Sequence, residues 1–508
     1  MVERIDDRLR VGLSTGEADD PAAARIDDDA PFCIAIVGDF RGARDAGAVT
    51  RLTRLTPIAV DRDDVDAVIA RVAPALDVPL GDGGADTLRI EFRDLDDFHP
   101  DRLYERLPLF QAMSDLRDEL GSTRRGARGG GAPAGGGASG AAGGSARTSS
   151  GGGPVPAESL LSSGGLLDQI VARSAPTEGA AAAGAPASSD PLEAFLRDAV
   201  EAHVVHEPGA ADLAARERLD ETIAAALRAL LHRPAYQRLE ASWRAVDFLA
   251  RRIETGPHLK LFVVDAPAPP RSEQTAAALD ELIRQGAPGG TPWAAVVLDW
   301  EVAAEPDDIA ALERLADAAR AAATVLLAGA DPGLAGGMAS AEMEPGEGGV
   351  ADAAARWAAF RKSRAARHVG LALPRFLLRD PYGRATDPCD AFPLEEMESD
   401  PPPHESYLWA NGAFAVALIL ARAFEDASWS LEQALRPEIE GLPLHSIDGG
   451  TDLKPCAEVT MDERLARGLL DAGIMPLASI KNTDRVHLVR VQSVAEPVAG
   501  LAGGWARR

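Results

Sequence analysis

The sequence has few of the residues from which catalytic and metal sites are built. It holds three cysteines, Cys33, Cys389 and Cys456, and nine histidines in 508 residues. The cysteines stand far apart, without a C-x-x-C pair or a neighbouring histidine pair, so neither a disulfide framework nor a zinc site is predicted. The sequence also lacks H-E-x-x-H, G-x-S-x-G and any recognisable frame of paired carboxylates. No catalytic residue, metal or cofactor is predicted from these patterns.

Positive charge and long apolar runs are scarce too. The chain carries 79 Asp and Glu against 52 Lys and Arg, a net charge of -27 with a pI of about 4.8. Nucleic acid and anionic membranes are polyanions, so neither is an expected partner. The first residues, M-V-E-R-I-D-D-R-L-R, lack the apolar run of a signal peptide, and no stretch reaches the roughly 18 to 20 apolar residues of a membrane span. A cytoplasmic protein is expected.

Aromatic residues make up only 5% of the chain, but they are concentrated in one region. Ten of them fall between residues 357 and 429, where they predict the main hydrophobic core. They are Trp357, Phe360, Phe376, Tyr382, Phe392, Tyr407, Trp409, Phe414, Phe424 and Trp429.

Composition divides the chain into units. Residues 121–156 are nearly all Gly, Ala, Ser and Arg, which cannot bury enough apolar area to offset their ordering entropy, so a flexible linker is predicted there. The predicted division is a disordered arm at 1–30, an α/β unit at 31–120, a linker with a short docking helix at 121–190, an α/β unit at 191–430, an α+β unit at 431–497 and a tail at 498–508.

Strands and helices alternate in the first unit. The apolar run 32–37 predicts a buried strand, and Val65, Val68, Ile69 and Val72 predict one apolar face of a helix over 63–72. A second strand is expected at 87–92. Pro100 suits the first turn of one helix that carries Leu103, Leu107, Phe110 and Leu116. The turn Gly38-Asp39-Phe40-Arg41-Gly42 lacks the spacing of a phosphate-binding loop, so nucleotide binding is disfavoured.

The second unit predicts an α/β sheet as well. A long helical segment at 213–253 is expected to break at Pro234, and strands are expected at 259–264, 294–298 and 324–328. Within the helix, Glu240 and Arg244 stand one turn apart, which predicts a surface ion pair. A helix at 462–472 and an apolar strand at 485–491 are expected near the C-terminus. The predicted fold class is α/β, with mixed sheets and flanking helices plus a small C-terminal α+β unit.

A short amphipathic segment interrupts the linker. Leu166, Leu167, Ile170 and Val171 lie on one face of a predicted helix over 166–174, together with Asp168. An apolar stripe between two segments that cannot fold is typical of a peptide that docks in a partner's groove. A helix that covers the body of its own protein is the alternative.

Several separated motifs give the chain a family resemblance. Residues 160–495 resemble the large subunit (TssC) of the type VI secretion contractile sheath, and residues 31–120 resemble its small subunit (TssB). The large-subunit motif residues are Pro374, Arg375, Phe376, Pro381, Tyr382, Gly383, Trp409 and Asn411, with H-R-P-A-Y-Q-R-L-E-A-S-W-R at 232–244. The small-subunit motifs are V-G-D-F-R-G at 37–42, R-V-A-P-A-L at 71–76, L-D-D-F-H-P at 95–100 and L-P-L-F-Q-A-M-S-D-L-R at 107–117.

The resemblance implies a structural protomer, a natural fusion of both sheath subunits that polymerises around an inner tube. It implies the tube, baseplate components, other copies of the chain and an AAA+ disassembly ATPase (ClpV-like) as partners; a separate small subunit is left open. The ATPase would recognise Leu166, Leu167, Asp168, Ile170 and Val171, although Gln169 replaces the family's acid. Strand exchange between protomers would use Val486, Leu488, Val489 and Val491. The alternatives are a nucleotide-binding protein or enzyme, and a sheath of an extracellular injection device.

Overall fold

The computed structural model describes residues 29–42, 55–80, 86–121, 210–267, 269–270, 272–334 and 348–507. The predicted docking helix at 166–174 and nearly all of the predicted linker lie outside these residues. Within them the fold is mixed α/β, with helices on both faces of a large sheet, which confirms the predicted class. None of the described helices is both long and apolar enough to cross a membrane.

The main sheet has nine strands. They are β1 (Phe32–Gly38), β2 (Ile58–Val60), β5 (Leu259–Asp265), β6 (Ala295–Val302), β7 (Val325–Ala330), β8 (Val369–Leu373), β11 (Glu438–Ile439), β14 (Ile474–Ser479) and β15 (Val486–Leu488). Their order is β11-β15-β14-β8-β7-β6-β1-β5-β2. The six strands from β14 to β5 are parallel, while β15, β11 and β2 add antiparallel edges.

The other strands form three small antiparallel pairs. These pair β3 (Ala75–Leu80) with β4 (Asp86–Glu91), β9 (Phe376–Leu377) with β10 (Trp409–Ala410), and β12 (Ser446–Ile447) with β13 (Asp452–Leu453). Sequence patterns predicted β4 but missed β3, because Asp77 and Pro79 interrupt its apolar run.

Helices cover the two faces of the main sheet. One face carries α1 (Val65–Val72), α2 (Pro100–Arg106), α3 (Pro108–Gly121), α4 (Ala210–Leu231), α5 (Pro234–Arg252) and α9 (Gly412–Ala427). The other carries α6 (Glu273–Gln285), α7 (Pro306–Ala322), α8 (Gly348–Arg361) and α10 (Glu463–Asp471). The predicted break at Pro234 is confirmed. The predicted single helix after Pro100 is wrong, because the chain extends at Leu107 and Pro108 begins a second helix.

The N-terminal segment supplies one fully buried strand, β1. All seven residues of β1 are buried, since β1 lies between β5 and β6 and both its faces are covered. Phe32, Ile34 and Ile36 join the core on one side of the sheet, and Cys33, Ala35 and Val37 join the core on the other. A continuous apolar run is the pattern of a strand buried on both faces.

Strands from all three predicted folded units share this sheet. The unit at 31–120 supplies β1 and β2, the unit at 191–430 supplies β5 to β8, and the unit at 431–497 supplies β11, β14 and β15. The unit boundaries stay a prediction about the sequence. The ten aromatic residues between 357 and 429 are buried, as predicted. The C-terminal strand is shorter than predicted, Val486–Leu488 rather than 485–491.

Candidate functional site

The N-terminal segment and the rest of the chain meet along a continuous apolar contact, which we call the seam. It joins residues 29–121 to residues 210–507. Two aromatic side chains of α5 are central to it. The Trp243 ring lies 5.0 Å from the Phe40 ring, and its indole N–H donates to the Phe40 carbonyl at 3.1 Å. The Tyr236 hydroxyl donates to the Phe98 carbonyl at 2.8 Å. These bonds satisfy polar atoms that the seam buries.

Backbone pairing extends the seam through the sheet. β1 aligns with β5 over seven residue pairs and with β6 over four. The ladder continues past the strand ends, where Phe32 N donates to His258 O and Ala294 N donates to Cys33 O. Separating the two parts of the chain would therefore expose two strand edges in the middle of the sheet, as well as both faces of β1.

A buried ionic cluster holds α5 against the loop at 379–396, which we call the motif loop because it carries Pro381, Tyr382 and Gly383. Arg379 is its centre: Nε donates to Glu240 Oε1 at 2.9 Å and Nη1 donates to Glu396 Oε2 at 2.8 Å. Arg244 also donates to Glu240 at 2.7 Å and to the Tyr382 hydroxyl at 3.0 Å. The Arg379 guanidinium lies 4.1 Å from the centroid of the Tyr382 ring. Each buried charge in this cluster has an opposite charge as partner.

The pKa of Glu396 follows from this arrangement. Burial alone raises the pKa of its carboxyl, but the Arg379 charge, the nearby His232 and the hydrogen bonds from Arg379 and the Tyr382 N–H outweigh burial. The pKa falls to about 2. His232 Nε2 is 3.5 Å from Glu396 Oε1, an ion-pair distance rather than a well-formed hydrogen bond. The Glu240 and Glu396 charges raise the pKa of Arg379 although burial opposes them. Glu396 and Arg379 are therefore both ionised at neutral pH.

The sequence analysis misjudged Glu240. A surface ion pair with Arg244 was predicted from their helical spacing, and the pair is present, but Glu240 is 0% exposed and also binds Arg379. Helical spacing cannot show a partner 139 residues away in the chain. Glu396 was missed as well, because it stands in an acidic, Pro-rich interval that has the composition of an exposed loop.

The motif residues have identifiable packing roles. The Arg375 guanidinium donates two hydrogen bonds to the Glu458 carboxylate, at 2.9 and 2.5 Å. Asn411 accepts from Ala413 N at the start of α9 and donates to Trp300 O. Phe376 packs on Phe248 at 5.1 Å.

The remaining motif positions are also tightly constrained. Trp409 donates to His404 O at 3.1 Å, and a Cβ at Gly383 would lie 2.5 Å from Glu395 Oε2. Pro374 O lies 3.0 Å from where a Cβ of Gly412 would be, and Pro381 O accepts from the Thr386 hydroxyl. These residues position elements of the fold.

The predicted strand-exchange residues lie at one end of the main sheet. Val486, Leu488, Val489 and Val491 are buried, and β15 pairs with both β14 and β11 of its own chain. Among the described strands, β11 is the edge at this end. Leu488 N donates to Pro437 O, so in the alternating antiparallel pattern Glu438 directs its N–H and C=O away from β15. The exchange itself stays a prediction.

One further described surface bears on the predicted partners. Val459 and Leu465, before and within α10, are 43% and 40% exposed, although most apolar residues of the described fold are covered. The predicted ATPase-recognition residues Leu166, Leu167, Asp168, Ile170 and Val171 lie outside the described residues. Over the described part of the chain, no group of three His, Cys, Asp or Glu side chains is placed to hold a metal ion.

Comparison with known proteins identifies the fold. Residues 214–495 match the VipB family, described as the EvpB tail sheath N-terminal domain. The chain belongs to this sheath family. Residues 17–129 match a second family, VipA of the type VI secretion system. A relative, the type VI secretion system sheath protein TssC1 of Pseudomonas aeruginosa, is 30% identical over 301 residues. The match covers 55% of this chain and 60% of that protein.

The two family matches divide at the seam. The VipA match contains β1 to β4, and the VipB match contains every described strand from β5 onwards. The predicted fusion of a small-subunit part and a large-subunit part is thereby confirmed.

Proposed function

We propose that this chain is a single-chain protomer of a type VI secretion contractile sheath, which polymerises around an inner tube and contracts to propel it. One observation carries the proposal. β1 of the VipA-matching part lies between β5 and β6 of the VipB-matching part, so one chain contains both sheath components in one sheet. Such a protomer would work without an active site, because contraction releases free energy when rigid protomers repack between two lattice states.

The seam and the buried ionic cluster support the rigidity that this role needs. A protomer that transmits force must keep its shape while its contacts with neighbours change. Arg379, Glu240 and Glu396 tie α5 to the motif loop at buried positions, where solvent does not weaken their attraction.

The ends of the linker are compatible with pairing inside one chain. Arg117 Nε in α3 lies 2.7 Å from Asp220 Oδ1 in α4, so Gly121 and Ala210 are within roughly 30 Å of each other, by the helical rise per residue. The predicted flexible stretch at 121–156 alone would span on the order of 35 Å on average. The connection therefore needs no stretched linker.

The proposal is tested by assembly of the purified full-length chain. We expect electron microscopy to show tubes or stacked cogwheel rings without any added subunit. The edge variant Glu438→Pro, which keeps the bonds between β11 and β15, should form none when purified in parallel. A wild-type chain that stays monomeric at high concentration, and assembles only when a separate small subunit is added, would show that the fusion is not self-sufficient.

Three partner surfaces belong to the same proposal. The exposed outer side of β11 would accept a strand from a neighbouring protomer, next to the predicted exchange residues of β15. The exposed apolar residues Val459 and Leu465 beside α10 would face the inner tube. The 166–171 segment would bind a ClpV-like ATPase, and baseplate components would bind the end of the polymer. Assembly around a tube of this kind would take place in the cytoplasm.

The ATPase-recognition segment can be tested separately from assembly. Leu167→Asp with Ile170→Asp should leave assembly intact and slow disassembly by the ATPase at least a hundredfold, because each buried side chain contributes roughly 1.5 to 3 kcal/mol to docking. Leu160→Asp with Leu161→Asp is the matched control in the same interval. Normal disassembly of the first variant, or its failure to assemble, would contradict the assigned role.

A further inference from the structure

The two ends of the parallel strands carry opposite charge. At the carboxyl ends lies a cavity of about 490 Å³, which we call the acidic cavity. Its wall includes five carboxylates and two guanidinium groups: Asp39, Asp299, Glu301, Asp331, Glu405, Arg238 and Arg375. The Tyr407 and Trp409 rings in its wall already carry the Lys454 ammonium, 5.0 and 5.6 Å from their centroids. A cavity with five carboxylates against two guanidinium groups in its wall favours a cationic group.

The strand topology explains where the cavity forms. Asp39 directly follows β1, Asp299 and Glu301 lie in the last half of β6, and Asp331 directly follows β7. The chain leaves β1 toward β5 and leaves β6 toward β7, so the strand order reverses at this point. In open α/β sheets, crevices for binding form at the carboxyl ends where the order reverses.

One guanidinium group in the cavity wall, that of Arg375, already has carboxylate partners. Arg375 is bound to Glu458 and lies 3.5 Å from Glu301. Burial raises the pKa of Glu301, the Glu458, Asp299 and Asp331 charges raise it further, and Arg375 opposes them. An incoming positive group would therefore be stabilised beside Glu301.

At the amino ends lies an exposed basic patch, which we call the basic knob: Lys362, Arg364 and Arg367. It belongs to a stretch, residues 353–379, that holds no Asp or Glu in a chain with a net charge of -27. Two other cations of that stretch already have partners. Arg361 donates hydrogen bonds to the Val494 and Asp471 carbonyls, and Arg356 forms an ion pair with Glu313. The knob side chains form no ion pair within 4.0 Å to any residue in the described ranges. Asp471 and Glu496 line the same shallow surface pocket as Lys362 and act on Arg361.

The knob lies at the amino ends of the parallel strands and the cavity at their carboxyl ends. Arg367 and His368 directly precede β8, and His368 Nδ1 contacts Thr324 O just before β7. Strands of six or seven residues separate their amino ends from their carboxyl ends by roughly 20 Å. When one patch of a protein binds a different patch at the opposite end of the next copy, the copies join head to tail. Such contacts produce an open polymer if the rotation between copies does not close a ring.

We propose that the basic knob of one copy docks at the acidic cavity of the next copy. This contact rests on the proposed function, because it supposes that the chain polymerises. With a net charge of -27, copies repel one another at long range, so a local pair of opposite charges would select the orientation in which they meet.

Reversing the charge of each surface, and then mixing the two variants, tests the proposal. The knob variant is Arg364→Glu with Arg367→Glu, and the cavity variant is Asp331→Lys with Glu405→Lys. Each alone should raise the critical concentration for polymerisation at least tenfold. An equimolar mixture should recover polymerisation, because each reversed surface then meets a complementary one. Arg62→Glu with Arg71→Glu, exposed positions in the N-terminal segment, is the control with the same charge change as the knob variant.

The outcomes separate this inference from the proposed function. Circular dichroism and thermal melting should show that both variants fold like the wild type. If the wild type polymerises and either variant does so at the same concentration, the docking contact is wrong while the sheath function stands. If both variants fail and the mixture fails too, the two surfaces do not meet, and the inference is again wrong. If the wild type itself does not polymerise, the proposed function fails and the docking contact fails with it.

Discussion

An interior strand and the C-terminal edge strand of the main sheet are built in opposite ways. β1, the third strand from the β2 edge, has seven residues, parallel neighbours on both sides and complete burial. β11 at the edge has two residues, one antiparallel neighbour and an exposed Glu438. Strands with both edges paired cannot accept another chain, whereas an open edge can. The sheet is therefore closed at the seam between its two family parts and open at β11, where we propose that a neighbouring protomer adds a strand.

The largest effect is expected from a charge in the buried strand β1. Ile36→Asp would place a carboxylate in a site that is 0% exposed and that offers no cation. Burying an unpaired charge is strongly unfavourable, so we expect a loss of more than about 4 kcal/mol of unfolding free energy, enough to prevent folding. Solubility and circular dichroism measure the effect. Lys260→Asp at an exposed position of β5 should fold, and a folded Ile36→Asp protein would contradict the central role of β1.

A smaller loss is expected at the buried ionic cluster. Arg379→Met removes the cation shared by Glu240 and Glu396 and leaves two buried carboxylates with less compensation. Breaking a buried ion pair costs roughly 3 to 5 kcal/mol, measurable by urea unfolding. Replacing exposed Arg467 by Met removes only a surface pair with Glu463 and should change stability by less than about 1 kcal/mol. Equal effects of the two substitutions would show that the cluster does not hold the fold together.

The same cluster predicts how stability depends on pH. The pKa of Glu396 is about 2 in the folded state against 4.5 ordinarily, so the folded state binds fewer protons. Its contribution, on the order of 3 kcal/mol, is present above pH 4.5 and is lost as pH falls toward 2. Glu396→Gln should flatten the fall in unfolding free energy over that interval. An unchanged slope in the variant would show that other carboxyls cause it.

The smallest effect on stability, with a large effect on assembly, is expected at the edge. Glu438→Pro removes an N–H that points away from β15 and leaves the bonds between β11 and β15 in place. We expect a change of less than about 1 kcal/mol in unfolding free energy, since the position is exposed, but loss of polymer in sedimentation assays. Glu438→Gln keeps the N–H and should polymerise. Normal polymers from Glu438→Pro would rule out strand addition at this edge.

Sequence patterns predicted the elements whose signals are local. The apolar run of β1 and the spacing of the α5 core residues each fit one strand or helix period, and Pro234 marks its own helix boundary. The family motifs likewise predicted the sheath resemblance, because they depend on residue identity and order. Patterns failed at Glu240, whose partner Arg379 is distant in sequence, and where a proline interrupted the period, as in β3 and between the two helices after Pro100.

The amino-acid sequence by itself determined the fold class, the family and the concentration of aromatic residues in the core. Only the tertiary structure decided that β1 lies between β5 and β6 and that Glu240 is a buried partner of Arg379. It also decided that the basic knob and the acidic cavity lie at opposite ends of the parallel strands. The physical reason is that periodicity and composition record whether a residue is buried, while strand order and ion pairing depend on which distant residues share that burial.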